Sequence, residues 1–193
     1  MRALFVIVLL IALVLPSMHA IGSPPVDISA ENLQMLQAQA AQGNAMAQLK
    51  LGIMYADGKG VPQDYVTARG WYEKAAARGN AMAQYYLGRM YFNGESVPKD
   101  YTMAREWWEK AAARGDSWSQ VNLGWIYLDG NGVPKSLERA YMWLNFAVNS
   151  SIGDEQKFAV KTRNDIALRM SPEQITEAQR LAQQCESKQF QGC

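Results

Sequence analysis

The chain is short of histidine, of cysteine and of any excess charge, and each shortage removes a class of function. The single histidine of its 193 residues, His19, lies in an apolar leader read below as removed, which takes away the commonest general base and metal ligand. Lys and Arg number 19 against 18 Asp and Glu; losing Arg2 with the leader leaves 18 of each and a formal charge of zero. A neutral surface exerts no long-range pull on phosphate backbones or anionic lipid, so nucleic acid and membrane surfaces are poor partners. The signatures of common enzymes are missing as well: no P-loop, no G-x-G-x-x-G after a strand, no H-E-x-x-H and no G-x-S-x-G. Asp154 and Glu155 are a carboxylate pair, but adjacent residues on a helix point apart and read as a solvated face. No catalytic residue, metal site or cofactor is expected, and the chain reads as a non-enzyme.

Two cysteines remain, Cys185 and Cys193, both within the last nine residues. How they read depends on the other end of the chain. Arg2 is followed by an unbroken apolar run from Ala3 to Leu15 and then Pro16, the pattern of a signal peptide over residues 1–22 with cleavage between Ala20 and Ser23. An uncleaved anchor is the weaker reading, because a spanning helix needs about 20 apolar residues. No cysteine follows the run, so a lipid anchor is not indicated. A periplasmic or secreted protein is expected, with no stable membrane insertion after cleavage. In that compartment the cysteine pair reads as one local disulfide closing the tail 186–193. The alternative, a redox pair, lacks CxxC spacing and has no activating cation beyond Lys188.

What the sequence has in abundance is self-similarity. Residues 43–78, 79–114 and 115–150 align without a gap at a 36-residue period. Leu51, Leu87 and Leu123 recur, as do Gly52, Gly88 and Gly124, and Ala68, Ala104 and Ala140. Asn44, Asn80 and Asp116 are N-caps for a first helix in each copy, and Gly58, Gly94 and Gly130 close it. Val-Pro then breaks the chain, and Asp64, Asp100 and Ser136 cap a second helix. Trp71, Trp107 and Trp143 repeat in place and are expected in the core. Because one helix pair cannot bury both faces, the ends must be capped. Residues 23–30 look extended, and 31–42 read as an N-terminal capping helix. Residues 151–185 read as C-terminal capping helices, the last opened by Ser171-Pro172-Glu173-Gln174, a capping box with proline at the first helical position.

The frame A-x-A-Q-x-x-LG-x-x-Y-x-x-G-x-x-V-x-x-D-x-x-x-A-x-x-W-x-x-x-AA over residues 41–148 resembles the Sel-one-like repeat (SLR) family, relatives of tetratricopeptide repeats. The resemblance implies an all-α, right-handed α-solenoid of tandem helix-turn-helix repeats. It also implies an adaptor that organises protein complexes, in cell-envelope maintenance or host interaction. Departures are Ser96 for the glycine of the other copies, Ser117 and Ser119 for alanines, and Ser136 for aspartate. The cysteine-rich branch linked to penicillin binding has a disulfide in every repeat; these cysteines are absent here, so that activity does not carry over.

In a solenoid of helix pairs, first helices line the concave wall and non-repeating residues carry specificity. Subtracting the repeated positions leaves Met46, Leu49 and Ile53, then Met82, Tyr85 and Arg89, then Trp118, Val121 and Trp125. Phe92 and Leu128 extend this stripe, with Lys50, Tyr86 and Asn122 beside it. Aromatic residues, methionine and arginine on one wall are the composition of a protein or peptide interface. The expected partner-binding set is Met82, Tyr85, Tyr86, Arg89, Phe92, Trp118, Asn122 and Trp125. The competing reading packs Trp118, Trp125 and Tyr85 against the next repeat or beneath the C-terminal cap. A second function, association with peptidoglycan or another glycan by stacking of these rings on sugars, stays open, as does a role as accessory subunit of an envelope enzyme.

Overall fold

The computed structural model describes residues 30–190 together with 192 and 193. The expected signal peptide and its cleavage site lie outside the described residues, as does the extended segment up to residue 29; Ala30 already belongs to a helix. Nine α-helices and no strand occur among the described residues: α1 (Ala30–Ala41), α2 (Ala45–Asp57), α3 (Tyr65–Ala77), α4 (Ala81–Asn93), α5 (Tyr101–Ala112), α6 (Ser117–Asp129), α7 (Leu137–Ser150), α8 (Gly153–Ala167) and α9 (Pro172–Ser187).

Local chemistry sets where each helix begins. The Asn44 side chain accepts from the Met46 and Ala47 amides, Asn80 from Ala83 and Asp116 from Ser119, each satisfying donors that the first turn leaves unpaired. Asp64, Asp100 and Ser136 do the same for α3, α5 and α7, and Ser171 and Gln174 form the capping box of α9. The first helices stop at Gly58, Gly94 and Gly130, with φ of +69°, +79° and +77°, where the missing Cβ removes the left-handed penalty. Ser96 occupies the turn position of Gly60 and Gly132 and takes the same left-handed conformation at φ +60°, a strained choice for a side chain.

The two helices of each repeat pack together, and the second meets the first helix of the next repeat: α3 on α4, α5 on α6. This is an all-α solenoid of tandem repeats. Its contact positions are filled by small residues, Ala68, Ala104 and Ala140 among them, all fully buried beside Leu51, Leu87 and Leu123.

The tryptophan expectation needs correction. Trp143 is fully buried, but Trp71 and Trp107 are only half-buried, with the ammonium groups of Lys74 and Lys110 over their rings at 4.2 and 4.3 Å. The ring that enters the core is the next residue along, Tyr72 or Trp108, each 2% exposed. A helix turns about 100° per residue, and that step points Tyr72, Trp108 and Leu144 at Gly52, Gly88 and Gly124. A Cβ on these glycines would lie 2.5, 2.4 and 2.9 Å from the opposing side chain.

A buried glutamine ties successive repeats. The side-chain amides of Gln48, Gln84 and Gln120 donate to the carbonyls of Ala40, Ala76 and Ala112, capping the end of the preceding helix. Gln156 of α8 donates to Val148 in the same way at 3.0 Å, and Ala159 is buried at the place of Leu123. The 36-residue period therefore runs one helix beyond residue 150, into α8. Then it stops: α9 packs on α7. Cys185 and Cys193 are joined with Cα atoms 5.4 Å apart, and the tail they close puts Phe190 against Trp143 and Phe146, ring centroids 6.1 and 5.0 Å away.

Candidate functional site

Met46, Met82 and Trp118 are the second residues of α2, α4 and α6, one period apart, and all three are exposed, at 53%, 49% and 45%. A repeat that presents the same helical position three times builds a row along one side. Trp125, two turns further along α6, is 39% exposed. Phe158 of α8 lengthens the row: it is exposed and its ring lies 6.3 Å from that of Trp118. The cap thus touches Trp118 at one edge, aided by the Ser117 hydroxyl donating to Glu155, and leaves both tryptophans open.

Other members of the stripe sit deeper. Leu49 and Val121 are each 2% exposed and belong to the core, because position i+3 faces the neighbouring helix. Tyr86 stacks on Tyr72 at 4.9 Å and meets Tyr85 edge-on at 5.3 Å. Phe92 is half-buried, its ring 5.2 Å from Tyr101 and 5.4 Å from Trp108. The Tyr85 carbonyl accepts from Trp108 Nε1 at 3.1 Å, so this residue joins the exposed row to the core. Burial pushes the Tyr85 hydroxyl above its ordinary pKa, Arg89 opposes that, and the Asn122 side chain is a hydrogen-bond partner.

Arg89 stands in the middle of this surface, on the central repeat. Its guanidinium lies 5.1 Å from the Tyr86 ring centroid, its Nε is sheltered from solvent with no acceptor, and it enters none of the ion pairs among the described residues. The arrangement can hold an apolar segment against Met82, Trp118 and Trp125 and offer it a positive charge.

A cleft of about 740 Å³ that the sequence reading missed lies elsewhere, where α5 faces the disulfide-closed tail. Glu106, Glu109, Lys110 and Arg114 line one side, Glu186 and Phe190 the other. Its walls are more than 70 residues apart in the chain, and nothing in the repeat pattern signals that α9 turns back to make one. Among the described residues no three side chains of metal-ligating type come together, and no helix is long and apolar enough to cross a membrane.

A family model for the Sel1 repeat matches residues 45–80, 81–116 and 119–150, more than half of the chain. The fold is similar to that of a Sel1 repeat protein from Oxalobacter formigenes, with 32% identity and a TM-score of 0.63 over 68% of this chain and 54% of that one. It is also similar to a protective antigen present in uropathogenic Escherichia coli strains that displays an SLR fold, with 28% identity and a TM-score of 0.54 over 83% of this chain and 42% of that one. The chain thus spans about half the length of these solved relatives. No curated protein matches it.

Proposed function

Because the chain belongs to the Sel1 repeat family, whose fold generally serves as a protein–protein interaction scaffold, we propose that it is an exported adaptor. It holds a protein or peptide partner along the wall of first helices, in assembly of cell-envelope complexes or in host interaction. The observation that carries this reading is the row Met46, Met82 and Trp118, large apolar side chains exposed at the matching position of three successive first helices, with Trp125 exposed two turns along α6 and the exposed Phe158 ring 6.3 Å from that of Trp118. Single exposed apolar residues are ordinary, but an aligned row is the composition of an interface. Export rests on the leader pattern of residues 1–22 and on the Cys185–Cys193 disulfide, which suits an oxidising compartment.

The test compares the native chain with two variants in affinity capture from envelope extract. Met82→Ser with Trp118→Ser removes the row; Val66→Ser alters an apolar side chain on α3, 62% exposed, that belongs to a second helix. A stoichiometric protein held by the native chain and by Val66→Ser, and lost with the double variant, supports the reading. Equal capture by all three overturns it. Retention on insoluble peptidoglycan, lost with the double variant, would show instead that the exposed tryptophans stack on sugars.

A further inference from the structure

Building on that reading of the first-helix wall, we propose that the segment it holds carries an acidic side chain set among large apolar ones. The charges of the wall point to this. Helices α2, α4 and α6 contain only four charged residues, Lys50, Asp57, Arg89 and Asp129. Both aspartates are the last residues of their helices, and Asp57 pairs with Lys59 at 2.7 Å. The body of the wall therefore carries two cations, Lys50 and Arg89, and no carboxylate. Neither cation has an ion-pair partner among the described residues. On α8, where the row ends, Glu155 is taken by the Ser117 hydroxyl.

The same combination of cation and apolar surface occurs twice. Arg89 lies over the Tyr86 ring on the stripe that also carries the exposed Met82 of its own helix and Trp118 and Trp125 of the next first helix. One repeat earlier, Lys50 stands at a groove between α1 and α2 whose floor is Met35, Leu36, Ile53 and Met54. A guanidinium held against an aromatic ring beside apolar side chains loses water when a segment covers it, and losing water without gaining a partner is costly. A neutral apolar segment would impose that cost, and a basic one would add repulsion. A carboxylate removes both, since a charge-assisted hydrogen bond to arginine in a partly covered site is stronger than one between exposed side chains.

The probe is a phage-displayed library of random short peptides, selected on the native chain and on three variants: Arg89→Gln, Arg89→Lys, and the paired change of Met82 and Trp118 to serine. Peptides selected on the native chain should be enriched both in large apolar residues and in Asp or Glu within a few positions of them. On Arg89→Gln the acidic preference should fall while the apolar one stays, and a peptide taken from the native selection should bind about tenfold more weakly. Arg89→Lys should keep the acidic preference. Apolar peptides without acidic enrichment, or the same acidic enrichment on Arg89→Gln, would overturn this inference and leave the groove reading standing. Selection that ignores the Met82 and Trp118 changes would overturn the groove reading, and this inference with it. Circular dichroism of each variant checks that a lost preference is not lost folding.

Discussion

Replacing Gly88 with alanine tests how the repeats are packed. Alanine is the better helix former by roughly 0.5–1 kcal/mol, so on an exposed helix the change would stabilise. Here the added Cβ would fall 2.4 Å from Trp108 Nε1 and 2.5 Å from Cδ1. The ring is 2% exposed, lies 5.4 Å from Phe92, and donates from Nε1 to the Tyr85 carbonyl at 3.1 Å. It cannot retreat without disturbing that bond. Overpacking costs about 1–3 kcal/mol, and a buried donor and acceptor parted from each other cost about 1–3 kcal/mol more. Net of the helix gain, the loss is about 1–5 kcal/mol, which lowers Tm by roughly 2–20 °C for a domain of this size. Thermal unfolding followed by far-ultraviolet circular dichroism measures it. Gly124→Ala is the comparison: its nearest contact is Leu144 Cγ at 2.9 Å, a buried side chain that makes no hydrogen bond, so only the overpacking cost of about 1–3 kcal/mol applies there, less the helix gain. Combining Gly88→Ala with Trp108→Leu, which copies the third repeat, should recover part of the loss through a coupling of about 1 kcal/mol or more. A Gly88→Ala protein as stable as the native chain, or one no worse than Gly124→Ala, would refute the close-approach argument.

Adjacent tryptophans on α5 should respond differently to truncation: Trp108→Ala should cost about 3–5 kcal/mol as a buried ring and Trp107→Ala clearly less, and equal losses in denaturant unfolding would contradict the assignment of the core ring. Reducing Cys185–Cys193 should lower stability by about 2–3 kcal/mol in the chain-entropy account and change tryptophan fluorescence, since Phe190 packs on Trp143; a Tm and spectrum indifferent to reductant and to Cys185→Ser would count against it. Burial holds the Glu109 carboxyl above the ordinary carboxylate pKa, with Arg105 opposing and Glu106 adding to the shift. The folded state therefore binds this proton more tightly than the unfolded chain, and the cost of ionising it, absent in acid, grows as pH rises through the folded value. Glu109→Gln should gain in Tm over the native chain near neutral pH and lose that advantage at about pH 4; a difference that does not move with pH would refute it.

The caps and turns were legible in the sequence because each rests on a residue type with one local job: Asn80 at an N-cap, Gly94 at a left-handed stop, Ser171 with Gln174 in a capping box. The core was legible only where identity repeats. Sorting repeated positions into the core and varied ones onto the surface fails at Tyr72, Trp108 and Leu144, where an invariant glycine faces a partner of changing size, so the varied residue is the buried one. It fails again at Leu49 and Val121, which change in identity and stay under the neighbouring helix. The exposed row was found because its position is not held across all three copies, Met46 and Met82 giving way to Trp118, and there variation does go with exposure. The unpaired state of Arg89 could not be read from sequence at all, since pairing depends on which carboxylates other helices bring near.

The end of the solenoid follows from the same glycine. In each full repeat Gly52, Gly88 or Gly124 leaves a gap into which the side chain 20 residues later, Tyr72, Trp108 or Leu144, is inserted, and this pulls the second helix onto the first. On α8 the equivalent of Gly124 is Val160, so the gap is filled from its own side. The residue 20 further on is Arg180, exposed on α9 and paired with Glu177 at 2.6 Å. A charged side chain in place of an inserted apolar one has nothing to gain from burial there. With both halves of the joint changed, α9 has no reason to dock on α8 as α7 docks on α6, although Gln156 still ties α8 to the carbonyl end of α7. The apolar side of α9 is left to find α7, where Phe190 and the disulfide hold the tail over Trp143 and Phe146. With both halves of that joint changed, the last helix serves as a cap, and Phe158 stays exposed on α8 with its ring 6.3 Å from that of Trp118.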